Sequence, residues 1–139
     1  MPHDAPLRLP EAFVAAIVAQ ARHDAPREAC GLIAGLAGSA VRWYPLANVD
    51  PSPSRYLISP AALYAVLREI DERGWDLLAI YHSHTRSAAY PSAADIRLAF
   101  YPDSYYLIVS LLTTEPDLRA YRIVERVVRP VDLVRVAAP

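Results

Sequence analysis

The run Leu77-Leu78-Ala79-Ile80-Tyr81 carries apolar side chains on successive residues. A strand with one wet face alternates apolar with polar residues, so an unbroken run of this length predicts a strand buried on both sides. Burial on both sides demands cover on both sides, and two segments have the periodicity to supply it. From Pro10 to about His23, the residues Phe13, Val14, Ile17, Val18 and Ala21 recur at helical spacing, with Pro10 at a plausible first position. Ser59-Pro60 then makes a cap and first turn, Leu63, Val66, Leu67 and Ile70 form one stripe, and Gly74 suits the C-terminal cap.

The remaining elements read as strands and one short helix. Cys30 to Gly35 and Val41 to Leu46 form a hairpin about a turn at Gly38-Ser39, and Tyr56-Leu57-Ile58 is extended after the proline-rich loop at Asp50 to Ser54. Ser92 to Tyr101 reads as a helix, and Tyr105 to Leu112, Leu118 to Val124 and Val127 to Val136 as late strands. Helices and strands interleave with no repeat, heptad or linker. The expectation is therefore a single domain over residues 1–139, an α/β fold in three layers with helices flanking a mixed sheet. A chain of 139 residues that is 54% hydrophobic has ample material for such a core.

Charge and cysteine content exclude several roles. The net charge is −1 and Lys and Arg are scattered, so no basic footprint for nucleic acid exists. Cys30 is the only cysteine, which rules out an intramolecular disulfide, and no segment reads as a signal peptide or membrane span. The expected location is the cytoplasm, with no membrane partner.

The apolar run leads directly into His82-Ser83-His84, followed after seven residues by Ser92-Ala93-Ala94-Asp95. Residues two apart on a strand point to the same face, so His82 and His84 present two imidazoles to one ion. Asp95, in the first turn of the next helix, brings a carboxylate as third ligand. Two nitrogens, one oxygen and an open position suit catalytic zinc, one ion per chain, whereas structural zinc takes four ligands and usually cysteine. Zinc lowers the pKa of its water to about 7, so it supplies a nucleophile near neutrality.

With Glu28 in Arg27-Glu28-Ala29-Cys30-Gly31-Leu32 upstream, the His-Ser-His, seven residues, Ser, two residues, Asp pattern resembles the JAMM metallopeptidases, also called MPN-plus domains. The resemblance spans nearly the whole chain and implies a cytidine-deaminase-like sheet. It implies that His82, His84 and Asp95 are the zinc ligands, that Glu28 is the general acid/base for the attacking water, and that Ser92 steadies the oxyanion. The Glu-x-Cys-Gly run is most similar to compact prokaryotic members that trim the C-terminus of sulfur carriers. The implied partner is thus a ubiquitin-like or sulfur-carrier protein with a Gly-Gly-type tail; a homodimer belongs to the same expectation. One departure stands out: the family commonly has proline after the second histidine, where this chain has Thr85.

Plainer readings compete at single positions. Ser92-x-x-Asp95 alone is a helix capping box, Cys30 suits a small buried residue on the same face as Glu28, and Arg86 suits a solvated loop as well as a substrate contact. His3 and His23 read as solvent-exposed. Rival functions are a catalytically silent, zinc-stabilised interaction scaffold, whose mark would be a missing ligand, and a small-molecule zinc hydrolase, since fold does not dictate function.

Overall fold

A computed structural model describes residues 5–137; His3 lies outside them. Eight strands and three helices occur in the order β1 (Leu7–Pro10), α1 (Glu11–Asp24), β2 (Cys30–Leu36), β3 (Ser39–Leu46), α2 (Pro60–Glu72), β4 (Asp76–His84), α3 (Ala93–Arg97), β5 (Tyr105–Ser110), β6 (Asp117–Val124), β7 (Val127–Val131) and β8 (Leu133–Val136). Six strands form one sheet in the order β3-β2-β4-β5-β6-β7. Only β4 and β5 run parallel within it; the other neighbours are antiparallel. β1 and β8 pair separately, in parallel, with Leu7 opposite Leu133.

The apolar run is central β4, buried from Leu78 to His84. On one face Val14, Ile17 and Ala21 of α1 pack against Ile33, Tyr81, Leu107 and Val109. Leu7 and Leu9 of β1 join that layer, 1% and 0% exposed. On the other face Val66 and Ile70 of α2 pack against Leu32, Ile80, Ile108 and Ile123. This is the three-layer mixed α/β arrangement expected from the sequence. Ser59 caps α2, its side chain accepting from the Ala62 N–H, and Gly74 lies just past the C-cap Arg73 with φ of 70°.

Several boundaries differ from the sequence reading, each for a local reason. The β2–β3 turn falls at Ala37-Gly38, both with positive φ, one residue earlier than expected; paired left-handed residues match the strand twist. Pro10 is the N-cap of α1 rather than its first residue. α3 stops at Arg97 instead of reaching Tyr101, because Leu98 already has C-cap geometry. Tyr56-Leu57-Ile58 forms only an isolated bridge, Ile58 to Asn48. The apolar stretch from Val127 to Val136 divides at Asp132, its first part staying in the main sheet and its second pairing with β1. No helix among the described residues is long and apolar enough to cross a membrane.

Candidate active site

The site forms where β4 ends. His82 and His84 share the side of the sheet taken by Ile80, the α2 side, and Ile96 of α3 packs into the same layer. The short helix thereby brings Asp95 over the strand end. His82 Nε2 and His84 Nε2 lie 3.1 Å apart, and each is 3.0 Å from Asp95 Oδ2. These three side chains are the one group among the described residues that gathers three metal-capable donors.

Donors around a tetrahedral zinc with bonds of ~2.0–2.1 Å stand about 3.3–3.4 Å apart. The observed triangle is slightly tighter, so a small outward adjustment admits the ion, and the two-nitrogen, one-oxygen set suits its chemistry. His84 Nδ1 sits 2.8 Å from the Ala88 carbonyl, which as acceptor places a hydrogen on Nδ1, so a neutral ring would turn its Nε2 lone pair to the triangle. His82 Nδ1 is buried without a partner, and its ring is instead held by stacking on Tyr56, centroids 4.6 Å apart and planes inclined by 21°.

Asp95 is fixed by its own helix start. The Ser92 N–H donates to Asp95 Oδ2 at 2.9 Å while Ser92 Oγ accepts from the Asp95 N–H at 3.1 Å, a reciprocal capping box. Burial raises the Asp95 pKa, but hydrogen bonds from His82 and His84 outweigh it and hold the carboxyl well below its usual range. Burial lowers His82, whose pKa ends below the ordinary value despite Asp95. His84 also loses solvent, yet its bonds to Asp95 and Ala88 leave it raised. The ionised form in which Asp95 is held is the one a metal ligand must take.

Glu28 lies just before β2, on the edge of this cluster. It is 5% exposed, and its Oε1 has no hydrogen-bond partner. Burial pushes its carboxyl up to about 7, eased by the facing charge of His84 and reinforced by Asp95 and Asp50. A carboxyl poised there exchanges protons readily at neutral pH. Its segment is pinned to the ligand strand at Ala29, which bonds both ways with Ser83.

The structure thus brings His82, His84, Asp95 and Ser92 into one bonded cluster with Glu28 beside it. Cys30 stands directly across from His82 in the β2–β4 register but lies outside the donor group, and its thiol donates weakly to the Leu46 carbonyl at 3.6 Å. Arg86 is exposed on the loop after His84, and His23 is exposed at the end of α1 beside Asp24. That loop is tethered: Ser110 Oγ donates to the Ser87 carbonyl, Tyr121 Oη to that of Ala89, and Thr85 Oγ1 to that of Pro26 at 3.3 Å. Where proline would stiffen the path, Thr85 ties it to the stretch preceding Glu28. Sequence reasoning did not single out Ser83, Asn48 or Tyr56. Of these only Tyr56 carried a signal, an aromatic residue opening the short apolar run Tyr56-Leu57-Ile58 after the proline-rich loop.

Residues 10–124 match the family described as prokaryotic homologs of the JAB domain. The chain is 42% identical over 129 residues to the CysO-cysteine peptidase of Mycobacterium tuberculosis, covering 88% of this chain and 87% of that protein. It is 41% identical over 98 residues to the probable TtuB-protein conjugate cleaving protease of Thermus thermophilus, covering 70% and 66% respectively. Among solved structures, a Desulfitobacterium hafniense protein matches with a TM-score of 0.83 at 32% identity over 94% of this chain and 93% of that one. A JAB1/MPN domain protein from Archaeoglobus fulgidus matches with a TM-score of 0.60 over 92% and 99%; at 16% identity the likeness is one of fold.

Proposed function

The chain belongs to the prokaryotic homologs of the JAB domain, and from that membership we propose that it is a zinc-dependent peptidase or isopeptidase acting on the C-terminal tail of a ubiquitin-like or sulfur-carrier protein. The observation that carries this reading is the convergence of three donor atoms at 3.0–3.1 Å beside a buried, unpartnered carboxylate oxygen. The names of the mycobacterial and Thermus relatives, a peptidase and a conjugate-cleaving protease, support the substrate class. We read the chain as one cytoplasmic domain.

His82 Nε2, His84 Nε2 and Asp95 Oδ2 would hold the ion. When bound, zinc would supply Lewis acidity, polarising the scissile carbonyl and acidifying water to a pKa of about 7. The protein's own groups do the rest. Glu28 accepts the proton of the attacking water at its free oxygen and returns it to the leaving amine, which its placement near neutrality permits in both directions. Ser92 Oγ is occupied as an acceptor by the Asp95 N–H, so its own hydroxyl hydrogen remains to be donated to the developing oxyanion.

The test is to incubate zinc-loaded protein with the organism's own ubiquitin-like carriers, either extended beyond Gly-Gly or conjugated to lysine, and to identify products by mass spectrometry. Release of a carrier ending at the Gly-Gly tail is the expected result. Zinc-replete protein that cleaves none of them would transfer the reading to a silent scaffold.

A further inference from the structure

Asn48 lies just beyond β3, outside the donor cluster, yet its side chain is saturated with hydrogen bonds. Nδ2 donates to the Glu28 carbonyl at 2.9 Å and to the Arg55 carbonyl at 3.1 Å. Oδ1 accepts from the N–H groups of Asp50 and Leu57, both at 2.9 Å. An amide has two donor hydrogens and two acceptor positions, so all four are used. None of these partners belongs to a named strand or helix: Glu28 precedes β2, and the others lie in the loop between β3 and α2. One side chain therefore does for these two segments what a ladder does within a sheet.

The two segments meet the site from opposite directions. One carries Glu28. The other carries Tyr56, held between the two bonded residues Arg55 and Leu57, with its ring stacked on His82. Since Oε1 of Glu28 has no partner of its own, the carboxylate depends on its backbone for aim, and the Glu28 carbonyl is where Asn48 grips that backbone. Likewise the His82 ring lacks a partner at Nδ1, and beyond its Nε2 contacts to His84 and Asp95 it is held by the Tyr56 face.

We propose that Asn48 is a positioning residue that sets Glu28 and, through Tyr56, the His82 imidazole in one fixed relationship. The Glu28 half rests on the function proposed above; the His82 half rests on the stacking alone. Displacement of a reacting group by about 1 Å costs roughly 10²-fold in rate, which sets the scale of the effect.

Asn48→Asp keeps the shape and both acceptor positions, removes the two donors and adds a charge, so it breaks the grip on Glu28 and Arg55. Zinc-replete Asn48→Asp protein should lose about 10- to 100-fold in kcat with KM within about twofold. Its zinc affinity, read by chelator competition without any substrate, should fall several-fold. In a Glu28→Gln background the same change should cost much less of the residual turnover than it costs the parent, while the loss of zinc affinity persists in full, because the acid/base pathway is already gone. Tyr56→Leu, which leaves the amide intact, should reproduce the zinc loss and serves as the second probe if Asn48→Asp does not fold. Unchanged kcat and zinc affinity with only a lower unfolding temperature would overturn the proposal, as would an equal kcat loss in both backgrounds. A parent protein that cleaves nothing would defeat the proposed function, and the zinc comparison would still decide the positioning of His82.

Discussion

Ser83 and Ala29 exchange two hydrogen bonds, the Ala29 N–H donating to Ser83 Oγ at 2.7 Å and the Ser83 N–H to the Ala29 carbonyl at 2.9 Å. The residue between the two histidines thus extends the β2–β4 pairing past the end of β2, using a side chain where the strand no longer supplies a backbone partner. Ser83 is fully buried. Ser83→Ala strands a buried N–H and should cost roughly 1–3 kcal/mol, measured by denaturant unfolding. Zinc content should be unchanged, and turnover should fall because the segment holding Glu28 loosens.

Metal analysis of the purified protein should find about one zinc per chain, and His82→Ala, His84→Ala and Asp95→Ala should each lose it, since a three-ligand site has no spare donor. Asp95→Ala should also weaken α3, whose capping box needs that carboxylate. Full zinc occupancy in two of the three variants would remove the donor triangle from consideration.

Glu28→Gln keeps size and burial but cannot accept a proton. The variant should retain zinc and fold, bind a Gly-Gly-tailed substrate with near-parental affinity, and lose nearly all turnover. Brisk turnover in metal-replete protein would reassign the base.

Ser92→Ala separates two roles carried by one hydroxyl. Loss of the cap on the Asp95 N–H should cost ~1 kcal/mol of stability. Loss of the free hydroxyl hydrogen should lower kcat by roughly 10²-fold with zinc retained. A rate unchanged from the parent would leave Ser92 as a cap alone.

The Cys30 thiol is pushed up to about 12, chiefly by burial, with Asp24 and Glu28 adding to it. Iodoacetamide at mildly alkaline pH should therefore leave the folded protein unlabelled and modify it fully on denaturation, as read by mass spectrometry. The raised value means the folded chain holds this proton more tightly than a free thiol, whose pKa is about 8.5. That contribution to stability is complete below about pH 8.5 and is lost as pH climbs toward 12.

The donor triangle was legible because its two spacings are local: two residues along a strand, and the third residue of a helix that starts a fixed distance on. Both faces of β4 were legible too, from five successive apolar side chains. What escaped were relationships between distant segments. Asn48 reads as one polar residue ahead of a proline-rich loop, and its importance comes from a carbonyl 20 positions earlier. β1 is four residues ending in proline, too short to announce itself without the partner it meets at Leu133. The stretch from Val127 to Val136 has a continuous strand composition, and nothing local marks that the chain changes sheets at Asp132. In α3 the pattern continued past Arg97, while the backbone had already left the helix at Leu98.

The pairing of β1 with β8 also fixes an order of events during synthesis. Residues 7–10 leave the ribosome well ahead of their hydrogen-bonding partner at residues 133–136. Until that partner emerges, Leu7 and Leu9 lack the strand beside which they end up almost wholly enclosed. The nascent chain therefore carries an unpaired, leucine-bearing segment ahead of α1 until residues 133–136 emerge, and this edge can close only after the main sheet's strands have been made.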